Sequence, residues 1–462
     1  MAAIILGLTL LSLIIWLGLL SFWGQFWRTD QQLESRNTTF NISTQSFPTV
    51  CAIIPARDEA DLLPITLRSL LLQDYPGTLN VLLVDDRSTD GTAACAEGVA
   101  YAIDKSQQLH IISGETLPSG WSGKLWAVEQ GIKTATESLP APEYFFLTDA
   151  DIEHDISNLR RLVAKAIQED LDLVSVMVRL RCESFWEKLL IPAFVFFFQK
   201  LYPFRWVNNP NNPIAAAAGG CILIRKDALE QIGGIQTIRQ TLIDDCALAK
   251  AVKEKGRGEN TGTRGEGTRG RGDAGTRGRG DAGTRGRGDA GRGEDAGTRG
   301  RGDAEKISPT SPVGERSRTT SPKKGRIWLG LSTMTRSLRA YDSLMTIWDM
   351  VARTAYTQLN YSPLLLLGTL IGMTLIYLVP PMSIIFGLLT GNWAIALTGL
   401  SAWLLMTLAY FPTTRFYQLS FGWAFCLSAI AFLYTLMTLD SALRHWQGRG
   451  GAWKGRVYNT QC

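Results

Sequence analysis

Histidine is nearly missing from this chain, with three in 462 residues, and its seven cysteines are scattered without a Cys-x-x-Cys pair. That excludes a zinc site built on His and Cys and a disulfide framework, and the thiols suit a reducing compartment. Charge of one sign is lacking too: 47 Lys and Arg face 42 Asp and Glu, and a net charge of +5 points to no partner. Charge is absent altogether from Ala2 to about Trp23, where Leu and Ile dominate. Such a run is long enough to cross a bilayer as one helix. A basic start and a small-residue cleavage site, the marks of a removed signal peptide, are not evident, so residues 1–27 are read as an uncleaved transmembrane anchor. Arg28 is the first basic residue and places the following domain in the cytoplasm by the positive-inside tendency. Residues 28–47 read as a polar linker, whose sequons at Asn37 and Asn41 would matter only on a secretory face.

Beyond the linker, short apolar runs alternate with helical spacing. Thr49 to Ile54, Val81 to Val84, His110 to Ile112, Tyr144 to Leu147 and Leu171 to Met177 read as strands, with helices between them. This alternation predicts an α/β domain with a mostly parallel sheet covered by helices, its strand ends gathered along one edge. Three polar stretches follow such strands: Pro55 to Glu59, Asp85-Asp86, and Asp149-Ala150-Asp151. Two hard oxygen ligands two positions apart suit a divalent cation that grips phosphate oxygens; equally, an isolated Asp-x-Asp can be a turn that caps the next helix.

A low-complexity stretch then intervenes. Gly267 to Ala304 repeats Gly-Thr-Arg-Gly-Arg-Gly-Asp-Ala, a period without apolar residues that could bury no core. Residues 256–325 are read as a disordered insert, with the fold resuming at 326–360. Arg-Gly repeats attract RNA, but interleaved acids dilute the charge here, and nucleic acid is not an expected partner. Residues 361–440 carry apolar stretches for about three more crossings, and 441–462 form a basic tail that suggests a cytoplasmic end. A cytoplasmic domain and a cytoplasmic tail require an even number of crossings between them, so a count of three conflicts with that placement.

Pro55-Ala-Arg-Asp-Glu59, Val84-Asp-Asp-Arg-Ser-Thr-Asp-Gly-Thr92 and Thr148-Asp-Ala-Asp151, in this order, resemble the family 2 glycosyltransferases and their Rossmann-like GT-A fold. Gly120-Trp-Ser-Gly-Lys-Leu-Trp126, Leu242-Ile-Asp-Asp-Cys-Ala-Leu-Ala249 and Met350-Val-Ala-Arg-Thr-Ala-Tyr356 further resemble the hopene-associated HpnB type. The resemblance implies that residues 48–255 form the catalytic domain. It implies that Arg57, Asp58, Glu59, Asp85, Asp86, Lys124, Asp149 and Arg353 bind a nucleotide-sugar, and that Asp149 and Asp151 hold Mn2+ or Mg2+. Asp58 stands where the family usually has Asn. Asp245 matches the family's general base, which would take the proton of an acceptor hydroxyl as that oxygen attacks the anomeric carbon with inversion. Without the resemblance, Asp244 and Asp245 read as first-turn acids of a helix, and Lys124 as a solvated helix-start residue.

The aromatic stretch Trp186 to Phe204 reads either as an amphipathic helix on the membrane that admits a lipid acceptor or as a buried core helix. Processive members of the family carry Gln-x-x-Arg-Trp; here Arg353 is followed by Thr354, which favours single transfer over polysaccharide synthesis. The leading expectation is an enzyme of the inner membrane that moves a sugar from a nucleotide-sugar to a lipid or isoprenoid-type acceptor. The alternatives are a processive polysaccharide synthase and a non-enzymatic scaffold whose Arg-Gly loop binds RNA.

Overall fold

The computed structural model describes residues 1–34, 47–261 and 325–449, with two short strand pieces in the tail; the side chains of 256–261 are not described. Most of the repeat insert, its Ser/Pro-rich flank and the sequons lie outside the described residues. In chain order the elements are α1 (Ala2–Phe22), β1 (Val50–Ala56), α2 (Leu63–Leu71), β2 (Leu79–Asp85), α3 (Thr92–Ala102), β3 (Leu109–Ser113), α4 (Gly123–Ser138) and β4 (Tyr144–Thr148). They continue with β5 (Ile152–Glu153), α5 (Asn158–Gln168), β6 (Leu173–Arg179), α6 (Phe185–Leu201), α7 (Phe204–Val207), β7 (Cys221–Arg225), α8 (Lys226–Gln231), α9 (Asp244–Thr261) and β8 (Ile327–Ser337). Five helices close the described chain: α10 (Leu344–Gln358), α11 (Pro363–Met373), α12 (Val379–Thr390), α13 (Trp393–Phe416) and α14 (Leu427–Trp446).

The eight strands form one sheet in the order β3-β2-β1-β4-β7-β6-β8-β5. β3, β2, β1 and β4 run parallel, as do β6 and β8, while β7 is antiparallel to both of its neighbours. All seven residues of β1 are buried, as a strand covered on both faces requires. The two-residue alternation sorts its side chains: Val50, Ala52 and Ile54 join α2, α3 and α5 on one face, and Cys51 and Ile53 join α4 on the other. Gly131 of α4 sits where a Cβ would lie 2.6 Å from Ile53 Cγ2, so the helix approaches β1 closely. The registers Ala56↔Asp85 and Ile53↔Leu147 bring the ends of β1, β2 and β4 to one edge.

Four helical segments are long and apolar enough to cross a membrane: 2–22, 363–390, 393–416 and 421–446. Pro380 and Pro381 do not end the second; a π turn at Thr374–Leu378 absorbs the lost backbone donors, and the break falls at Gly391-Asn392. α1 runs antiparallel to this segment, with Trp16 Nε1 donating to Ile376 O at 2.9 Å and Thr9 hydrogen-bonded to Ser383 at 2.7 Å. α14 behaves differently. Just before it, Trp423 meets Phe185; in its middle, Tyr434 donates to Leu190 O at 2.9 Å; near its end, Arg444 pairs with Asp349 at 2.7 Å. It packs mainly on α10 and touches α6, and it also lies against the π turn and α11 of the second segment. α6 is packed between the sheet and these helices, with Leu190, Ile191, Val195 and Phe196 wholly buried. That fits the buried alternative for this aromatic helix and not a free membrane-lying one.

Candidate active site

Three chain reversals build the acidic cleft. β4 ends at Thr148, and Asp149 and Asp151 follow in the turn before β5. β7 pairs with β4 through Thr148↔Cys221, which sets Gly219-Gly220 beside Asp149. β5 pairs with β8 through Ile152↔Ser337, which delivers Ser337 and Arg339 to Asp151 from far along the chain. α9 then starts at Asp244-Asp245, and Gly219 N–H donates to Asp245 Oδ2 at 2.9 Å. Asp149, Asp151, Gly219, Gly220, Asp244, Asp245, Ser337 and Arg339 line one cavity of about 740 Å³.

Two cations bind these acids together. Lys124 Nζ lies 2.8 Å from Asp149 Oδ1 and 3.7 Å from Asp244 Oδ2. Burial opposes the Lys124 charge, but Asp149 and Asp244 outweigh it and hold the ammonium above its ordinary pKa. Lys124 is thus no solvated helix-start residue. Arg339 Nε lies 3.0 Å from Asp151 Oδ2, and its Nη2 lies 2.7 Å from Glu59 Oε1. Ser337 Oγ also donates to Asp151 Oδ2 at 3.0 Å. Burial and then the charge of Asp149 push the Asp151 carboxyl upward, against Arg339. Asp245 is pushed up to about 6, by burial first and then by Asp244. A carboxylate poised there can accept a proton near neutral pH.

The remaining expected residues divide. Glu59 and Arg353 line the cavity with Asp149, Asp151, Lys124 and Asp245; Arg57, Asp58, Asp85 and Asp86 do not. The latter four form a ledge at the ends of β1 and β2. Arg57 Nη1 donates to Asp86 O at 2.9 Å, and Asp86 is 2% exposed. Asp58 has φ +52°, a backbone region that Asn and Asp tolerate, and its Oδ1 accepts from Thr89 N–H at 2.8 Å. It ties the Ser88–Thr92 loop to the end of β1. Arg339 and Ser337 escaped the sequence reading because they lie beyond the repeat insert and in no motif. The one available signal was the need of a buried acid pair for a cation.

Asp149 Oδ1 is on Lys124 and Asp151 Oδ2 is on Ser337 and Arg339, and both carboxylates line the cavity. Among the described residues no group of three His, Cys, Asp or Glu is arranged to hold a metal. Two carboxylates fit an ion that completes its oxygen shell with diphosphate and water, as Mg2+ commonly does.

Residues 51–233 match a family model described as Glycosyl transferase family 2. An N-acetylglucosaminyltransferase of Rhizobium leguminosarum bv. trifolii is 35% identical over 74 residues, 16% of this chain and 41% of that protein. The chain thus spans about two fifths of the length of this curated relative. Among solved structures, mannosyltransferase PcManGT from Pyrobaculum calidifontis, in complex with GDP-Man and Mn2+, is 16% identical. It aligns over 96% of this chain and 99% of its own, at a TM-score of 0.46. S. aureus TarS 1–349 in complex with UDP is 16% identical over 45% of this chain and 55% of its own, at a TM-score of 0.31. The α/β unit is a GT-A type fold, as expected, flanked by helices long and apolar enough to span a membrane.

Proposed function

We propose, from the family 2 glycosyl transferase domain of residues 51–233 and the cleft beside it, that this chain is a membrane-bound enzyme that moves a sugar from a nucleotide-sugar to a lipid hydroxyl with inversion. The observation that carries this reading is the single cavity that joins Asp149 and Asp151, Lys124, and Asp245 to an apolar wall of Phe194 and Phe198. Mn2+ or Mg2+ bound at Asp149 and Asp151 would supply positive charge against the departing diphosphate. Lys124 adds an ammonium at the same edge. Asp245 takes the acceptor proton as the acceptor oxygen bonds to the anomeric carbon and the bond to the diphosphate breaks. Lys124 links the leaving-group site at Asp149 to Asp244, the neighbour of the base, and that proximity suits a single displacement.

The apolar wall leads toward α10 and α14, which favours a lipid over a soluble sugar acceptor. In this reading α14 lies along the catalytic unit and only two C-terminal segments cross, 363–390 and 393–416. The structure has three C-terminal segments long and apolar enough to cross, as many as expected, and this reading lays the third, 421–446, along the catalytic unit. Two crossings give the even count that a cytoplasmic domain and tail require. The hopene-associated type, the inner membrane and the donor roles of Arg57, Asp58, Glu59, Asp85 and Asp86 belong to the same proposal. The test is a thermal-shift screen of nucleotide-sugars with Mn2+, followed by transfer assays on the detergent-solubilised chain. One donor should stabilise the protein and be consumed, whereas no stabilisation and no turnover with any donor would overturn the reading.

A further inference from the structure

The cavity has a second charged end that the transfer chemistry does not use. Arg353 of α10, Arg444 of α14 and Arg449 just beyond it all line it. Arg444 is neutralised, with Asp349 and Asp440 each 2.7 Å from its guanidinium. Arg353 and Arg449 have no acidic partner among the described residues, so with two carboxylates on Arg444 the three arginines leave this end one net positive charge. Two neighbouring features fix its surroundings. Met177, Leu180, Phe194 and Phe198 line the same cavity. Tyr361 stacks on His445 at 4.4 Å, and Trp446 packs on Tyr356 where α11 begins and α14 ends. Aromatic side chains gather at headgroup depth, where one end of the ring is apolar and the other wet.

Resting on the transferase reading, we propose that Arg353 and Arg449 form a subsite for the phosphate of an anionic lipid acceptor whose hydroxyl reaches Asp245. Guanidinium groups pair with phosphate oxygens through paired, charge-assisted hydrogen bonds, while the apolar wall takes the chain. Both arginines are exposed, so water satisfies them without a ligand, and a neutral isoprenoid alcohol would gain none of the charge-assisted bonds that a phosphate makes there. The charge at this end therefore selects an acidic acceptor over a neutral one. Arg353 then serves the acceptor and not the donor diphosphate.

The experiment is native mass spectrometry on the full detergent-solubilised chain offered phosphatidylglycerol, which has both phosphate and hydroxyl, or diacylglycerol, which has the hydroxyl alone. Binding of UDP and GDP with Mn2+ is measured by calorimetry on the same preparations. Wild type should retain phosphatidylglycerol about tenfold better, a preference weakened by salt and abolished in R353Q/R449Q. Equal retention of the two lipids would overturn the proposal. So would an unchanged lipid preference in R353Q/R449Q with weakened nucleotide binding, which returns Arg353 to the donor. A wild type that prefers phosphatidylglycerol but binds neither nucleotide keeps the anionic subsite and removes the transferase reading beneath it.

Discussion

The ammonium of Lys124 lies 2.8 Å from Oδ1 of Asp149 and on its other side faces Asp244 at 3.7 Å. One cation therefore touches both the expected donor site and the start of the helix that carries the expected base. Removing it leaves three neighbouring carboxylates to repel one another. Lys124→Met should lower kcat/KM by on the order of 10²-fold, the usual size of losing one positioned donor in a water-poor site. The assay is steady-state transfer with the donor varied, and an unchanged kcat/KM would show that Lys124 is only structural.

Asp245 sets the pH dependence. Its carboxyl is pushed up to about 6 by burial and by Asp244, and the base works only when deprotonated. The plot of kcat/KM against pH should fall about tenfold per unit on the acid side of that value. In Asp244→Asn the raising charge is gone, so this limb should move to lower pH. Asp245→Asn should cost roughly 10²- to 10⁴-fold in transfer at neutral pH while UDP or GDP binding persists. The linkage has the opposite sense for stability. A raised carboxyl favours the protonated native state, so its contribution is greatest below the ordinary value of 3.8 and is lost as pH rises through about 6.

Much of this cleft was legible because its acids sit in order at the ends of apolar strands, a pattern that parallel topology turns into proximity. Asp149 and Asp151 reach the cavity for that reason, whereas Asp245 enters it at the start of α9, held by Gly219 N–H. Arg339 was hidden because an antiparallel pairing between β5 and β8 brings it in across the insert, and pairing of distant segments leaves no local signal. Asp58 was legible as a loop residue but not as the clasp of the Ser88–Thr92 loop, since positive φ is invisible in composition.

The close approach of α4 to β1 gives a stability prediction outside the cleft. A Cβ at Gly131 would lie 2.6 Å from Ile53 Cγ2 and 3.1 Å from Val84 Cγ2. Gly131→Ala should destabilise the catalytic unit by about 1–3 kcal/mol through overpacking, despite the better helix propensity of Ala. A thermal melt of the solubilised chain measures it, and a rise in Tm would contradict the packing.

The path of the C-terminal helices predicts a topology. Asn392 lies at the turn between the segments 363–390 and 393–416, which cross in the proposed topology, and Gln447 caps α14. In sealed vesicles, Asn392→Cys and Gln447→Cys should react with an impermeant thiol reagent from opposite sides. Labelling from the same side would mean that α14 crosses after all.

Most direct is the metal dependence of transfer in Asp151→Asn, a change that keeps the shape of the side chain and its contact with Ser337. With a donor from the nucleotide-sugar screen, wild type should need Mn2+ or Mg2+ and stop when the ion is chelated. The variant should lose at least about 10²-fold in kcat at saturating metal while its Tm stays close to wild type. Turnover in Asp151→Asn equal to wild type, with the same response to chelation, would contradict the assignment of Asp149 and Asp151 as the metal and diphosphate site.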